Sequence, residues 1–113
     1  MILGYVSDEM LVNLYKNAQL FVYISLYEGF GFPPLEAIAC GCATIISNVT
    51  SPPELCENLA DYCDPMNVDD IKYAMSKVLS DGKKNTHEEV LKFRNKFDWS
   101  KTANRLLHVI NSL

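Results

Sequence analysis

The stretch Glu28–Asn48, EGFGFPPLEAIACGCATIISN, decides how the rest of the chain is arranged. It reads as a strand edge, a glycine loop, a helix and a second strand. Before it, Leu20-Phe-Val-Tyr-Ile24 is an apolar run of the length of a buried strand. Glu28-Gly-Phe-Gly31 then turns the chain, because glycines tolerate backbone angles that other residues resist. Pro34 suits a first helical turn, where no amide hydrogen is missed. The helix runs through Leu35, Glu36, Ala37, Ile38 and Ala39, and Gly41 is placed to cap it. Ala43-Thr-Ile-Ile46 is the next buried strand. A glycine loop feeding a helix start leaves outward-facing amides, which suit an anion such as a phosphate. Two acids, Glu28 and Glu36, flank that position. They are too few and too far apart for a metal cage, and no metal site is expected.

The flanking sequence extends the pattern. Ile2–Val6 reads as a short strand, with Ser7 as the cap of a helix whose Leu11, Leu14, Tyr15 and Ala18 recur at helical spacing. Strand, helix, strand, helix, strand in short succession predicts parallel pairing through right-handed crossovers. Pro52-Pro-Glu54 starts a short helix, and Tyr62-Cys63 is a short edge strand closed by Asp64-Pro65. Asn67 caps a helix with Ile71, Ala74, Met75, Val78 and Leu79 on its apolar face, stopped by Gly82. Lys83-Lys-Asn85 reads as a solvated link. Thr86 and Glu89 form a capping box for a helix that includes Val90, Leu91, Phe93 and Phe97. A last helix after Asp98 puts Trp99, Ala103, Leu106, Leu107 and Ile110 on one face. The fold class is therefore α/β, a Rossmann-like parallel sheet with flanking helices, in one domain over residues 1–113.

Bulk properties exclude several classes. Acids number 14 and bases 10, for a net charge of −4, which argues against nucleic acid as a partner. No apolar run approaches the ~20 residues of a membrane span. No secretory leader pattern is visible at the N-terminus. The cysteines at 40, 42, 56 and 63 lack zinc or thioredoxin spacing and read as small packing groups in a reducing, cytoplasmic setting. Asn48-Val-Thr50 fits a glycosylation sequon, which has no meaning there. No G-x-G-x-x-G is present, which disfavours a dinucleotide oxidoreductase.

Glu28 to Gly41 resembles the E-x7-E signature of family 4 glycosyltransferases, retaining enzymes that use nucleotide sugars and have the two-lobed GT-B fold. Gly4–Glu9 with Leu14, Tyr15 and Ala18 resembles that family's G-x-V-s-x-e-x-L segment. Ser47-Asn48 through Pro53-Glu54 resembles its S-N-x-x-x-x-P-E segment, and Ala60–Pro65 its following strand and turn. Phe97-Asp-Trp-Ser100 resembles its F-x-W turn. With the motif itself, these four further ordered segments at family spacing extend the resemblance over nearly the whole chain.

The resemblance implies a nucleoside diphosphate sugar as donor and no cofactor. It implies an acceptor glycan or lipid-linked sugar, and a hexosyltransferase such as a mannosyl- or glucosyltransferase. Glu28 would face the donor sugar's hydroxyls near the reacting carbon, the catalytic position. Glu36 would accept hydrogen bonds from the ribose. Gly29, Phe30, Gly31 and Phe32 would offer backbone contacts, with Leu35 packed beneath the nucleotide. The plainer readings are a solvated loop acid for Glu28, a helix first-turn acid for Glu36, and a core ring for Phe30. Tyr5, Tyr15 and Tyr23 read as core or half-buried residues, and His87 and His108 as isolated. The basic residues that face the diphosphate in this family usually precede the portion seen here. Lys16, Lys72 and Lys77 are no obvious substitutes. The expectation is a partial C-terminal lobe of a GT-B enzyme, truncated in its gene or expressed as a piece, with the acceptor lobe elsewhere. On this reading the full enzyme is cytoplasmic, at the inner face of a membrane. The alternative is a non-catalytic nucleotide-binding fragment, or one that self-associates through its exposed sheet edge.

Overall fold

A computed structural model describes residues 1–49, 51–82 and 85–112. The elements in order are α1 (Asp8–Asn17), β1 (Phe21–Tyr23), α2 (Phe32–Ala39), β2 (Thr44–Ser47), α3 (Pro52–Cys56), a 3-10 turn (Glu57–Leu59), β3 (Asp61–Cys63), α4 (Val68–Asp81), α5 (His87–Lys96) and α6 (Trp99–Ser112). The sheet is parallel in the order β1-β2-β3, with Val22 opposite Ile45 and Ile46 opposite Tyr62. The architecture is the Rossmann-like α/β layer that the alternation of elements predicts.

Central strand β2 is buried along its whole length because helices cover both faces of the sheet. Ile46 joins Leu35 of α2, Cys56 of α3 and Phe93 of α5 on one face. Ile45 packs with Cys63, Ala74 and Val78 against α4 on the other. A third cluster, Tyr15, Ala37 and Cys42, seats α1 on α2. Ile38, Ile45 and Ile46 are fully buried, each worth about 1.5–3 kcal/mol relative to exposure. Thr44 is buried, as expected for a packing residue, and its hydroxyl donates to the Cys42 carbonyl at 3.1 Å.

Local end signals are realised at several helices. Ser7 accepts from the Met10 amide, Asn67 from those of Asp69 and Asp70, and Thr86 with Glu89 closes a capping box. No disulfide joins the cysteines; Cys42, Cys56 and Cys63 are buried and Cys40 half-buried.

The last helix is present as expected, as α6, and its apolar residues lie exposed, Trp99 at 82% and Leu107 at 55%, with no residue of that helix buried. Three expectations need correction. Ile2–Val6 is not a strand, because no neighbouring strand supplies a ladder for it among the described residues. The strand expected over Leu20–Ile24 is confined to Phe21–Tyr23. Asn85 is not simply solvated, since its side-chain amide donates to the Leu59 carbonyl at 2.8 Å. Lys83 and Lys84 of the expected link, and Thr50 of the sequon, lie outside the described residues.

Candidate functional site

The site grows from the carboxyl end of β1, the edge where parallel α/β sheets take ligands. The Ser25 amide donates to Ser47 Oγ at 2.8 Å, tying the exits of β1 and β2 together. The loop then reaches Glu28 and the glycines. Ser51 grips it from the α3 side, its hydroxyl donating to the carbonyls of Glu28 at 3.2 Å and Gly29 at 2.6 Å. Gly31 closes the loop as the N-cap of α2, with φ +78° in the left-handed region. A Cβ there would stand 3.2 Å from Pro52 Cγ. Backbone angle and close approach thus both call for glycine.

The helix starts at Phe32, so Pro33 and Pro34 occupy its next positions and supply no N–H. The amides left to meet a ligand are those of the loop and of Phe32. No hydrogen bond engages the amides of Phe30, Gly31 or Phe32 among the described residues. The expected anion-facing amides therefore belong to the loop more than to the helix turn. Leu35 is buried beneath it. Phe30 and Phe32 are exposed, with ring centroids 4.7 Å apart, so the core reading of Phe30 does not hold.

Glu28 is half-buried, and Tyr23 Oη donates to its Oε1 at 2.7 Å. That bond, more than burial, pushes the Tyr23 phenol above its ordinary range. Glu36 lies in the second turn of α2, not the first. The reading as a helix-terminus charge weakens accordingly, since that effect falls off within one turn. The Glu36 side chain is on the exposed side of α2, and Tyr15 Oη donates to its Oε2 at 3.3 Å. Burial first, and the Glu36 charge second, push the Tyr15 phenol up to about 12.

Three contributors escaped the sequence reading. Tyr15 and Tyr23 are core or half-buried as expected, yet their hydroxyls are aimed at the two carboxylates. The third is Arg94 of α5, which lines a cleft of about 310 Å³ together with Phe30, Phe32, Leu35 and Glu36. Helical packing of α5 on α2 brings this cation to the motif, although nothing near the motif in sequence announces it. No group of three or more His, Cys, Asp or Glu side chains is gathered to hold a metal among the described residues. The cleft offers the Glu36 carboxylate and the Arg94 guanidinium, and the loop that leads to it offers its amides and the Glu28 carboxylate, which does not line the cleft. This set suits a ligand that is rich in hydroxyls and negatively charged.

The three parallel strands with their flanking helices match a Rossmann-like lobe of a GT-B fold. In fold the chain resembles sucrose-phosphate synthase from Thermosynechococcus elongatus, with a TM-score of 0.84 at 23% identity, over 99% of this chain and 29% of that one. The chain belongs to the family described as "Glycosyl transferases group 1", which it matches over residues 1–105. It is 42% identical over 102 residues to the serotype-specific mannosyltransferase WbdA of Escherichia coli, covering 88% of this chain and 12% of that protein. It is 49% identical over 79 residues to the O-antigen chain mannosyltransferase B of Escherichia coli, covering 70% of this chain and 21% of that protein. The chain thus spans a small part of the length of these curated relatives.

Proposed function

We propose that this chain forms the donor-binding part of a retaining glycosyltransferase that moves a hexose, mannose first among the candidates, from a nucleoside diphosphate sugar to an acceptor hydroxyl. The observation that carries this reading is that a loop with unengaged amides, at the carboxyl edge of a parallel sheet, is bracketed in sequence by Glu28 and Glu36, each of which accepts a hydrogen bond from a tyrosine. Glu28 is assigned to the sugar hydroxyls beside the reacting carbon, where its charge favours the positive character that develops as the glycosidic bond breaks. Glu36 is assigned to the ribose, whose two neighbouring hydroxyls suit the lone pairs of an ionised carboxylate. The amides of Gly29 to Phe32 are assigned to sugar and phosphate, and Leu35 to the support of the nucleotide. No cofactor enters this scheme. Mannose is favoured because both curated relatives described above are named mannosyltransferases.

The acceptor, a glycan or lipid-linked sugar, is assigned to parts of the enzyme outside this lobe, working at the cytoplasmic face of a membrane. No helix among the described residues is long and apolar enough to cross one. For the 113-residue chain taken alone, donor binding without transfer is the expected behaviour, since no acceptor is positioned. Its exposed apolar side chains, including Val22 on the β1 edge and those of α6, favour self-association. Sedimentation of the chain at micromolar concentration is expected to show dimers or larger species, and a clean monomer contradicts that. The function itself is tested by incubating the natural full-length protein with GDP-mannose and a mannose-terminated oligosaccharide. The expected product carries a new mannosyl unit with the anomeric configuration of the donor, read by NMR. An inverted anomer overturns the retaining assignment.

A further inference from the structure

We propose that a row of three aromatic rings, Tyr15, Phe21 and Tyr23, is a positioning device that sets both motif carboxylates, Tyr23 holding Glu28 and Tyr15 holding Glu36. The inference rests on the assignment of those acids to the donor. The rings come from two different elements. Tyr15 is the buried residue of α1, and Phe21 and Tyr23 stand two apart on β1, on one side of the strand. Tyr15 meets Phe21 edge-on at 5.3 Å and 83°. Phe21 and Tyr23 lie nearly parallel, 6.0 Å apart at 16°. The row is therefore continuous, and each end carries a hydroxyl. One donates to Glu36 Oε2 at 3.3 Å and the other to Glu28 Oε1 at 2.7 Å.

The chemistry of this arrangement is specific. A glutamate on a loop has several rotamers, and ordering it when the ligand arrives costs free energy. A phenol held by ring packing selects one rotamer beforehand. It occupies one lone-pair position of the carboxylate and leaves the others to accept from ligand hydroxyls. At 2.7 Å the Tyr23 bond is as short as charge-assisted O–H···O⁻ bonds are. The phenol is neutral and remains a donor throughout the physiological range, and a raised ionisation range for both tyrosines is consistent with that state. Because Phe21 touches both tyrosines, the row also links the positions of the sugar-facing and ribose-facing acids to each other.

The test uses Tyr23→Phe and Tyr15→Phe in the natural full-length protein, with GDP-mannose and GDP as probes. Phenylalanine keeps the ring and removes only the hydroxyl. Tyr23→Phe is expected to lower kcat roughly ten-fold and to raise KM for GDP-mannose by a smaller factor while leaving GDP binding unchanged, and to have almost no further effect on a Glu28→Gln background. Tyr15→Phe is expected to weaken GDP and GDP-mannose alike by roughly ten-fold, and to add little to Glu36→Ala. A residue that served folding alone would lower thermal stability and leave this division between kcat and binding unmoved. Effects that multiply in full on the Glu28→Gln and Glu36→Ala backgrounds overturn the proposal and leave the assignment of the acids standing. Wild-type kinetics in both phenylalanine variants also overturn it. If Glu28→Gln and Glu36→Ala are themselves silent, the donor assignment fails and this proposal falls with it. Should a variant melt early, carbon-13 NMR of the tyrosine Cζ in the intact protein reports the contact without ligand. The Tyr23 midpoint is expected to fall on Glu28→Gln, and an unchanged midpoint overturns the contact.

Discussion

Gly31 and Gly41 bracket α2, and replacing each with alanine separates two physical costs. Both have left-handed angles, φ +78° and +76°. Forcing an L-residue into that region costs about 1–2 kcal/mol, partly offset by about 0.4–1 kcal/mol from a less disordered unfolded chain. At Gly41 nothing lies within 4 Å of the added Cβ, so that balance is the whole effect. Gly41→Ala should then cost about 0.5–1.5 kcal/mol. At Gly31 the new methyl stands 3.2 Å from Pro52 Cγ and 3.8 Å from Pro52 Cβ. Pro52 is itself buried, so its ring yields only by moving α3. Overpacking of this kind adds about 1–3 kcal/mol, so Gly31→Ala should cost about 2–4 kcal/mol. Urea unfolding of the 113-residue chain measures both. With a slope of about 2 kcal/mol per molar, the Gly31→Ala midpoint should drop by about 1–2 M and the Gly41→Ala midpoint by well under 1 M. Equal losses at the two positions, or a larger loss at Gly41, would refute the argument that Pro52 closes the motif loop.

Alkaline pH should unfold the chain through groups whose protons are held more tightly when folded. Cys56 is pushed by burial from 9.0 to about 11, and Tyr15 and Tyr62, mainly by burial, from 10.0 to about 12. Their contribution is complete below pH 9 and is lost as pH rises to about 12; a pH-independent urea midpoint between pH 9 and 11 would contradict it. At the acidic end, hydrogen bonds from Thr86 hold the Glu89 carboxyl below its ordinary value of 4.5. That contribution is present above pH 4.5 and lost as pH falls through the lowered value. Thr86→Ala removes the cap, at a cost of about 1 kcal/mol at pH 7, and its gap from wild type in urea should narrow below pH 4.5.

The elements legible in the sequence are those specified by neighbours along the chain. Ser7, Asn67 and the Thr86–Glu89 pair announce their helices because a cap bonds an amide two or three residues away. The motif stretch shows its loop, helix and buried strand because two glycines, two prolines and an unbroken apolar run have few other uses together. What was not legible depends on partners distant in sequence. A strand at Ile2–Val6 needs a ladder that its own residues cannot specify. The amphipathic pattern of α6 shows that it has an apolar face but says nothing of what would cover it. Tyr15 and Tyr23 read as core because their rings are packed, and only the packing of α1 and of β1 against α2 brings their hydroxyls to the two carboxylates. Arg94 comes to line the same cleft as Glu36 through the packing of α5 on α2, which Phe93 anchors in the same core as Leu35 and Ile38.

The central claim is that the two acids divide the donor between them. It is tested most directly by titrating GDP and GDP-mannose calorimetrically into the natural full-length protein and its Glu36→Ala and Glu28→Gln variants. Glu36→Ala should weaken both ligands alike, by about 1.5–3 kcal/mol, the usual range for hydrogen bonds to a charged group. Glu28→Gln should weaken GDP-mannose while leaving GDP almost unchanged. If both substitutions affected the two ligands equally, the assignment of Glu28 to the sugar would be wrong; if neither altered binding in a protein that does bind GDP-mannose, the donor site would lie elsewhere.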